Sequence, residues 1–459
     1  MRFNPHIFRA YDIRGVAGRD LTPEVVATLG RALGTFFTAR GDNRVVVGRD
    51  NRLSSPELRD ALVQGLTDTG CAVSDTGVVV TPILYFACRH YGIPNGVMIT
   101  GSHNPPEENG FKIVAGDGTI YGEQIQHLRE LMESGSFDRG SGTVRQVDAA
   151  AAYLPMLREK VRLGPRRLKV AVDCGNGTAA LFAEEILRGW GCAVVPLFCV
   201  SDGRFPNHQP DPVKTANLAD LRRAVLEEGC DLGVGYDGDA DRLGVVDEKG
   251  NVIWGDRLMI LFWREILPQY PDRPCIVEVK CSQALVDEIH RLGGRPLFYK
   301  TGHSLVKAKM KEVGAVFTGE MSGHLFFADE YYGFDDAFYA TGRLLRILSH
   351  TDRPLSTLLA DLPHYYATAE TRIACPDEQK FAVVARLVEH FRKTNEVIDV
   401  DGARVLFEDG WGLVRASNTQ PVLVARCEAK TPQGLDRICN TMREAITAVT
   451  GIPDFAWEF

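Results

Sequence analysis

Val45-Val-Val-Gly-Arg-Asp50 opens the stretch that decides the fold. An apolar run ends there in a polar turn. Ser55–Thr69 follows with helical character, Gly70 can close the helix, and Cys71-Ala-Val73 begins a second apolar run. Strand, helix, glycine stop and strand make a right-handed parallel crossover. The outline recurs. Leu168–Val172 reads as a strand, Asp173-Cys-Gly-Asn-Gly177 as its turn, Ala179–Trp190 as the helix, Gly191 as the stop and Ala193–Phe198 as the return strand. Ile276-Val-Glu-Val-Lys280 opens a third copy, with helix Ser282–Leu292, stop Gly293-Gly294 and strand Pro296–Tyr299. The copies start roughly 105–125 residues apart, which is domain-sized repetition and not a solenoid. The sequence predicts three similar mixed α/β domains in a row, whose ligands would gather beyond the carboxyl ends of the strands.

Outward from these copies, two boundaries are visible. Ser134-Gly-Ser-Phe-Asp-Arg-Gly-Ser-Gly142 is rich in glycine and serine and could precede the second domain. Near Leu362-Pro-His364 the crossover outline stops. A helix around Gln379–Lys393 follows, then strands around Ala403–Phe407, Gly412–Ala416 and Pro421–Ala429, and a last helix near Gln433–Val449. That order is α+β with an antiparallel hairpin.

The chain has 459 residues, enough for three or four domains at roughly 100–200 residues each. Its 45% apolar and 24% charged composition is that of a soluble globular protein. A formal charge of −8 excludes a nucleic-acid binder held by bulk charge, yet leaves room for a local arginine cluster that takes a small anion. The first ten residues carry no long apolar core, so no secretory signal is expected. Leu258–Trp263 is bracketed by Asp256, Arg257, Arg264 and Glu265 and is too short to span a bilayer. Eleven cysteines, odd in number and without a Cys-x-x-Cys pair, point to free thiols in a reducing compartment. A cytoplasmic protein without membrane or nucleic-acid partners is expected.

Between the apolar runs Leu232-Gly-Val-Gly-Tyr236 and Leu243-Gly-Val-Val246 lies Asp237-Gly-Asp-Ala-Asp-Arg242. Two short strands joined by a tight loop would aim three carboxylates at one place, and their repulsion calls for a cation. Oxygen-only ligands suit Mg²⁺ rather than Zn²⁺. An EF-hand fits poorly. Asp237, Asp239, Asp241 and even Glu248 fall at positions 1, 3, 5 and 12, but position 6 requires glycine and holds Arg242. An aspartyl-phosphatase loop with Asp237 as nucleophile, and a solvated acidic turn, stay open on these residues alone.

Three further loops carry candidate chemistry. Thr100-Gly-Ser-His-Asn-Pro-Pro106 follows the apolar Gly96-Val-Met-Ile99 and displays Ser102 as a nucleophile or phosphoryl carrier, or is merely a polar turn. No Gly-x-Ser-x-Gly elbow supports a hydrolase triad. Lys112, in Gly110-Phe-Lys112, could act as acid, base or phosphate contact. Gly319-Glu-Met-Ser-Gly-His324 offers Glu320 and Ser322 to sugar hydroxyls, with His324 a base or a plain hydrogen-bonding residue, or is an ordinary turn. Arg415-Ala-Ser-Asn-Thr-Gln-Pro421 combines an arginine, hydroxyls, an amide and backbone N–H groups, as a phosphate cradle would, or is an ordinary hairpin loop. Lys300-Thr-Gly-His303 and Arg9-Ala-Tyr-Asp-Ile-Arg14 lie at positions where ligand contacts are also plausible.

Taken together, Thr-Gly-Ser-His-Asn-Pro, Asp-Gly-Asp-x-Asp-Arg, Gly-Glu-Met-Ser-Gly-His and Arg-Ala-Ser-Asn-Thr, in this order and at these distances, resemble the α-D-phosphohexomutase superfamily. The likeness covers essentially the whole chain and is greatest to the bacterial phosphomannomutase/phosphoglucomutase branch. The resemblance implies four domains around a central cleft, the fourth a TATA-binding-protein-like α+β domain. Here they would divide as 1–149 with the phosphoserine loop, 150–253 with the metal loop, 254–363 with the sugar-binding loop and 364–459 with the phosphate-binding loop. By the same resemblance Ser102 is the phosphoserine and, with Asp237, Asp239 and Asp241, a ligand of Mg²⁺. Glu320 and Ser322 meet sugar hydroxyls. Arg415, Ser417, Asn418 and Thr419 hold the non-reacting phosphate. Lys280 is a further substrate contact, and Arg14, Lys112, Arg242, His303 and His324 are further active-site groups, with Lys112 and His303 leading for acid–base work.

The activity implied is reversible phosphoryl transfer between C1 and C6 of mannose or glucose phosphates by a monomeric isomerase. The transfer would pass through a hexose 1,6-bisphosphate, with glucose 1,6-bisphosphate as activator. Phosphoglucosamine mutase is the nearest alternative, and a metal-dependent sugar-phosphate phosphatase is the alternative of another class. One departure stands inside the metal loop: the family commonly has glycine where this chain has Ala240. Alanine there matters only if the backbone must be left-handed.

Overall fold

The computed structural model describes residues 3–418, 420–451 and 455–458, and these group into two compact units. The first comprises Met1–Gly255, His303–Ala308 and Ser322–Leu358. The second comprises Asp256–Gly302, Lys309–Met321 and Leu359–Phe459.

The first unit holds two sheets. In the seven-stranded one, Arg44–Arg49 runs parallel to both Ala72–Val78 and Asn95–Ile99, as the crossover outline predicts. Glu108–Ala115 then turns back antiparallel to Asn95–Ile99, and Ile13–Val16 adds on antiparallel beyond it. Helices Pro23–Ala39, Ser55–Asp68 and Glu123–Ser134 cover a core that includes Leu29, Leu33, Val45, Leu62, Val97 and Phe111. The Gly/Ser-rich stretch 134–142 does not leave this sheet at once: Thr143–Gln146 pairs parallel with Ala72–Val78 as its edge strand.

The five-stranded sheet has the order Val252–Ile253, Leu243–Asp247, Leu232–Tyr236, Lys169–Asp173, Ala193–Leu197. Lys169–Asp173 is parallel to both of its neighbours. Leu232–Tyr236 and Leu243–Asp247 are buried along their whole length and form an antiparallel pair in which Tyr236 faces Leu243. The register therefore leaves residues 237–242 as a short loop at the strand ends.

The second crossover helix departs from expectation. It splits into a 3₁₀ turn, Thr178–Leu181, and an α-helix, Ala183–Gly189. The tight turn lets the Thr178 N–H donate to the Gly238 carbonyl at 2.9 Å, so a tertiary contact overrides the helical periodicity.

In the second unit, Pro274–Glu278 and Arg295–Tyr299 form the parallel pair of the third copy, bridged by helix Gln283–Arg291. The carboxyl-terminal part is a six-stranded antiparallel sheet. Its central strands are Ala403–Phe407, Gly410–Ala416 and Val422–Ala429, and helices Asp377–Phe391 and Pro432–Thr450 pack on one face. All eleven cysteines are free thiols. Among the described residues no helix is long and apolar enough to cross a membrane.

Candidate active site

In the first unit the metal loop and the serine loop meet. Asn95–Ile99 delivers residues 100–107, and the antiparallel return along Glu108–Ala115 sets Lys112 beside Met98. Ser102 is buried and has φ +50°, a left-handed backbone rare for serine. Its N–H donates to Thr100 Oγ1 at 2.8 Å, and its Oγ donates to Asp237 Oδ2 at 2.8 Å and lies 3.1 Å from His103 Nδ1. Gly238 is required by close approach: a Cβ there would stand 2.3 Å from the Ser102 carbonyl oxygen.

The loop that carries the aspartates is wound tightly. Asp237 Oδ1 accepts from the N–H groups of Asp241 and Arg242, each at 3.1 Å. Thr81, at the start of helix Thr81–His90, donates its hydroxyl to Asp239 Oδ2 at 2.5 Å and its N–H to the Asp239 carbonyl at 3.0 Å. Lys112 Nζ donates to Asp239 Oδ2 at 2.7 Å and also to Asp241 Oδ2. Ala240 has φ +55°, so this position does require the left-handed region.

The donor set fits a hard divalent cation. One carboxylate oxygen each from Asp237, Asp239 and Asp241 lies within 4.8 Å of the others, and all three residues are fully buried. Asp239 Oδ1 and Asp241 Oδ1 have no hydrogen-bond partner among the described residues. Burial, then the charges of Asp239 and Asp241, pushes the Asp237 carboxyl well above the usual carboxylate range. Burial would raise Asp239 too, but the Lys112 ammonium outweighs it and holds that carboxyl low. Three carboxylates crowded in one buried place against a single lysine ammonium favour a further cation, and oxygen ligands favour Mg²⁺ over softer metals.

Beside this triad runs a polar chain. Arg242 Nε donates to His324 Nε2 at 3.0 Å, which leaves the His324 proton on Nδ1, 3.0 Å from Asp335 Oδ2. Asp335 Oδ1 accepts from Lys307 Nζ at 2.8 Å. His303 stacks on His324 with ring centroids 5.6 Å apart, and its Nε2 has no hydrogen-bond partner among the described residues. Burial, then the Lys307 charge, keeps the His303 imidazole well below its ordinary pKa, so it is neutral at pH 7. Arg14 donates to Asp12 Oδ2 at 2.6 Å and to the Asn104 side chain at 3.1 Å, and so braces the serine loop. Ser322 is half-buried, just before Gly323 and His324.

The second unit gathers the remaining candidates around its own buried charges. Lys280 Nζ donates to Glu370 Oε1 at 2.7 Å and stands 3.8 Å from Glu278 Oε1. Burial opposes the Glu370 charge, but Lys280 outweighs it and holds that carboxyl at about 2. Glu320 Oε1 accepts from the Gly302 N–H at 2.6 Å. Arg415 Nε donates to Asp401 Oδ2 at 2.8 Å, and Asp401 Oδ2 also accepts from the Thr301 N–H at 3.0 Å. The Ser417 hydroxyl accepts from the Gln420 N–H at 3.2 Å, and the Asn418 amide reaches the Thr301 carbonyl at 3.4 Å. Thr419 lies outside the described residues.

Comparison with known proteins decides the family. Models of the phosphoglucomutase/phosphomannomutase alpha/beta/alpha domains I, II and III match residues 5–139, 151–250 and 254–366, and the model of its C-terminal domain matches residues 370–445. The chain belongs to the phosphoglucomutase/phosphomannomutase family. It is similar to a phosphomannomutase/phosphoglucomutase of Pseudomonas aeruginosa, 48% identical over 96% of each chain. It is 44% identical, again over 96% of each chain, to a phosphoglucomutase of Neisseria gonorrhoeae. A crystal structure of a phosphoglucomutase/phosphomannomutase family protein from Burkholderia thailandensis superposes with a TM-score of 0.92 at 42% identity, over 100% of both chains. Phosphohexomutases of this family are isomerases.

The phosphohexomutase motifs pointed to Ser102, the aspartates and both histidines, but not to Lys307, Asp335 or Thr81. Lys307 is one of several lysines in His303–Val313 and reads as a solvated helix face. Asp335 follows Phe334 in a loop without a spacing signal. Only the 2.8 Å pairing of a half-buried Lys307 with a fully buried Asp335 marks them as part of the site.

Proposed function

We propose that the protein is a phosphomannomutase/phosphoglucomutase that carries phosphate on Ser102 and interconverts hexose 1- and 6-phosphates through a hexose 1,6-bisphosphate. The observation that carries this reading is the Ser102 hydroxyl, buried on a left-handed backbone and hydrogen-bonded at 2.8 Å to a carboxylate of a three-aspartate cluster. A plain acidic loop would not be built against a serine of another sheet.

In the forward half-reaction the bond from Ser102 Oγ to phosphorus breaks and a bond from phosphorus to a sugar hydroxyl oxygen forms. The hydroxyl proton passes to a base in the site. His303 suits that role, since its imidazole is neutral and Nε2 is open. Lys112 and the Arg242 guanidinium, whose charge acts on Asp237 and Asp241, supply fixed positive charge beside the transferred group. Asp237, Asp239, Asp241 and Ser102 would hold Mg²⁺, which when bound neutralises charge on phosphoryl oxygens. In the second half-reaction Ser102 Oγ bonds to the other phosphorus, the bond from that phosphorus to its sugar oxygen breaks, and the sugar oxygen takes back the proton held by the base. Glu320 and Ser322 orient the sugar hydroxyls. Lys280, Arg415, Ser417, Asn418 and Thr419 hold the non-reacting phosphate. Glucose 1,6-bisphosphate primes the enzyme by phosphorylating Ser102. A monomer in the cytoplasm is the setting proposed, supported by the free thiols.

The test compares glucose 1-phosphate, mannose 1-phosphate and glucosamine 1-phosphate with Mg²⁺ and a trace of glucose 1,6-bisphosphate. Formation of the glucose or mannose 6-phosphate with little inorganic phosphate is expected. Steady phosphate release would establish a phosphatase instead, and preference for the amino sugar a phosphoglucosamine mutase. Ser102→Ala should abolish turnover in a folded protein. Near-normal turnover would remove Ser102 from the mechanism.

A further inference from the structure

Arg52 stands in the turn after Arg44–Arg49, with its side chain fully buried. Nη2 donates to the carbonyls of Ser102 and Asn104 at 2.8 and 2.7 Å. Nη1 donates to those of Pro105 and Glu108 at 2.5 and 2.9 Å, and Nε donates to Asp50 Oδ2 at 3.1 Å. A guanidinium has five N–H groups, and here each has an acceptor. Asp50 closes the device: it also accepts from the N–H of Gly101 at 3.1 Å and from the Ser55 hydroxyl at 2.5 Å. Gly101 must be glycine, because a Cβ would lie 2.5 Å from the guanidinium carbon. The ring of Phe205, from a different segment of the chain, covers the guanidinium at 5.1 Å.

We infer that Arg52 is a positioning residue for phosphoryl transfer: it clamps both ends of the Ser102 loop and so fixes the direction of Oγ and shields phosphoserine from water. The inference rests on Ser102 as the phosphoryl carrier. Serine at φ +50° is strained, so the loop needs an outside restraint, and the four carbonyl contacts supply it. Arg52 contacts neither the aspartate triad nor the histidines in these bonds. It acts through the carbonyls of the loop and, by way of Asp50, through the Gly101 N–H.

Lysine offers a point charge with three donors and cannot span the four carbonyls. Arg52→Lys should therefore lower kcat ~100-fold, the effect of roughly 1 Å of misplacement, while KM stays within ~3-fold because the substrate-binding residues are untouched. Hydrolysis of phosphoserine without sugar should rise ~10-fold as water gains access. A residue that only stabilised the fold would lower the melting temperature and leave both rates, per folded molecule, unchanged.

The experiment primes the parent and Arg52→Lys with glucose 1,6-bisphosphate and measures phosphate on Ser102 by mass spectrometry. It then follows kcat, KM and the hydrolysis rate of the phosphoserine. A parent without phosphate on Ser102 would overturn the carrier reading and with it this inference. A phosphorylated parent with Arg52→Lys matching it in kcat and hydrolysis would overturn the clamp alone. Should Arg52→Lys not accumulate folded, Asp50→Asn keeps the four carbonyl bonds but weakens the charged anchor of Arg52 Nε and of the Gly101 N–H. Its phosphoserine should hydrolyse ~3-fold faster or more, with kcat lowered, and rates equal to the parent's would overturn the clamp.

Discussion

Ala240→Gly and Gly238→Ala exchange the same two residue types two positions apart, and the structure predicts opposite results. Ala240 has φ +55° and no exposed surface. Glycine there would relieve a left-handed alanine, worth ~1–2 kcal/mol. It would also remove a buried methyl, worth ~0.8 kcal/mol, and free the unfolded chain, worth ~0.4–1 kcal/mol. These terms leave a net change inside about 1 kcal/mol. The loop's hydrogen bonds all use backbone or aspartate atoms, so Mg²⁺ affinity should stay within ~3-fold. Gly238 has no such freedom. Its backbone needs no positive φ, but an added Cβ would sit 2.3 Å from the Ser102 carbonyl. Either the serine loop or the metal loop must move, which costs ~1–3 kcal/mol and separates the carrier from the triad. Urea denaturation and Mg²⁺ titration calorimetry, with turnover alongside, measure all three quantities. A loss of more than ~2 kcal/mol in Ala240→Gly, or parent-like turnover in Gly238→Ala, would refute the reasoning.

Other perturbations test the remaining groups. His303 is held below its ordinary ~6.5 by burial and Lys307, so its base form persists on acidification and kcat should stay flat down to below that pH. Lys307→Met removes the cation and leaves Asp335 to favour protonation, so the acid limb of kcat should move upward in pH; an unmoved limb would separate His303 from proton transfer. Asp237→Asn removes one of three packed carboxylates and should stabilise the protein in chelator by on the order of 1 kcal/mol while abolishing the rise in melting temperature that Mg²⁺ produces. Arg415→Ala removes charge-assisted bonds worth ~1.5–3 kcal/mol and should raise KM roughly 10- to 100-fold with Mg²⁺ affinity unchanged. Equal loss of both affinities would mean that the cradle is misassigned.

What could be read from the sequence followed from short-range signals. The apolar runs around Asp237–Arg242 predicted two short strands joined by a tight loop, and the two strands pair antiparallel with Tyr236 facing Leu243. The glycine stops at Gly70, Gly191 and Gly293 predicted parallel crossovers, and all three strand pairs are parallel. What could not be read depends on contacts far apart in the chain. Thr178–Leu181 is helical by composition but becomes a 3₁₀ turn because Thr178 must reach Gly238. Lys307 and Asp335 gain meaning only from each other. The question left open at Ala240 was conformational, and no periodicity reports the sign of φ.

The buried charges of the first unit explain why the site needs all of its parts. Asp237, Asp239, Asp241 and Asp335 face Lys112, the Arg242 guanidinium and Lys307, and the two histidines add no charge when neutral. With all four carboxylates ionised, as a bound divalent cation would require, four carboxylates against three cations leave one negative charge. A divalent cation on the triad inverts that sign, and a phosphorylated Ser102 then restores it to a single negative charge. The same groups can thus accept phosphate on serine or on sugar without a large buried imbalance in either state. Loss of Lys307 or Asp335 would disturb this balance although neither is placed among the metal ligands or substrate contacts. The pairing of Lys307 with buried Asp335 at 2.8 Å is therefore an electrostatic requirement of the site rather than a packing detail.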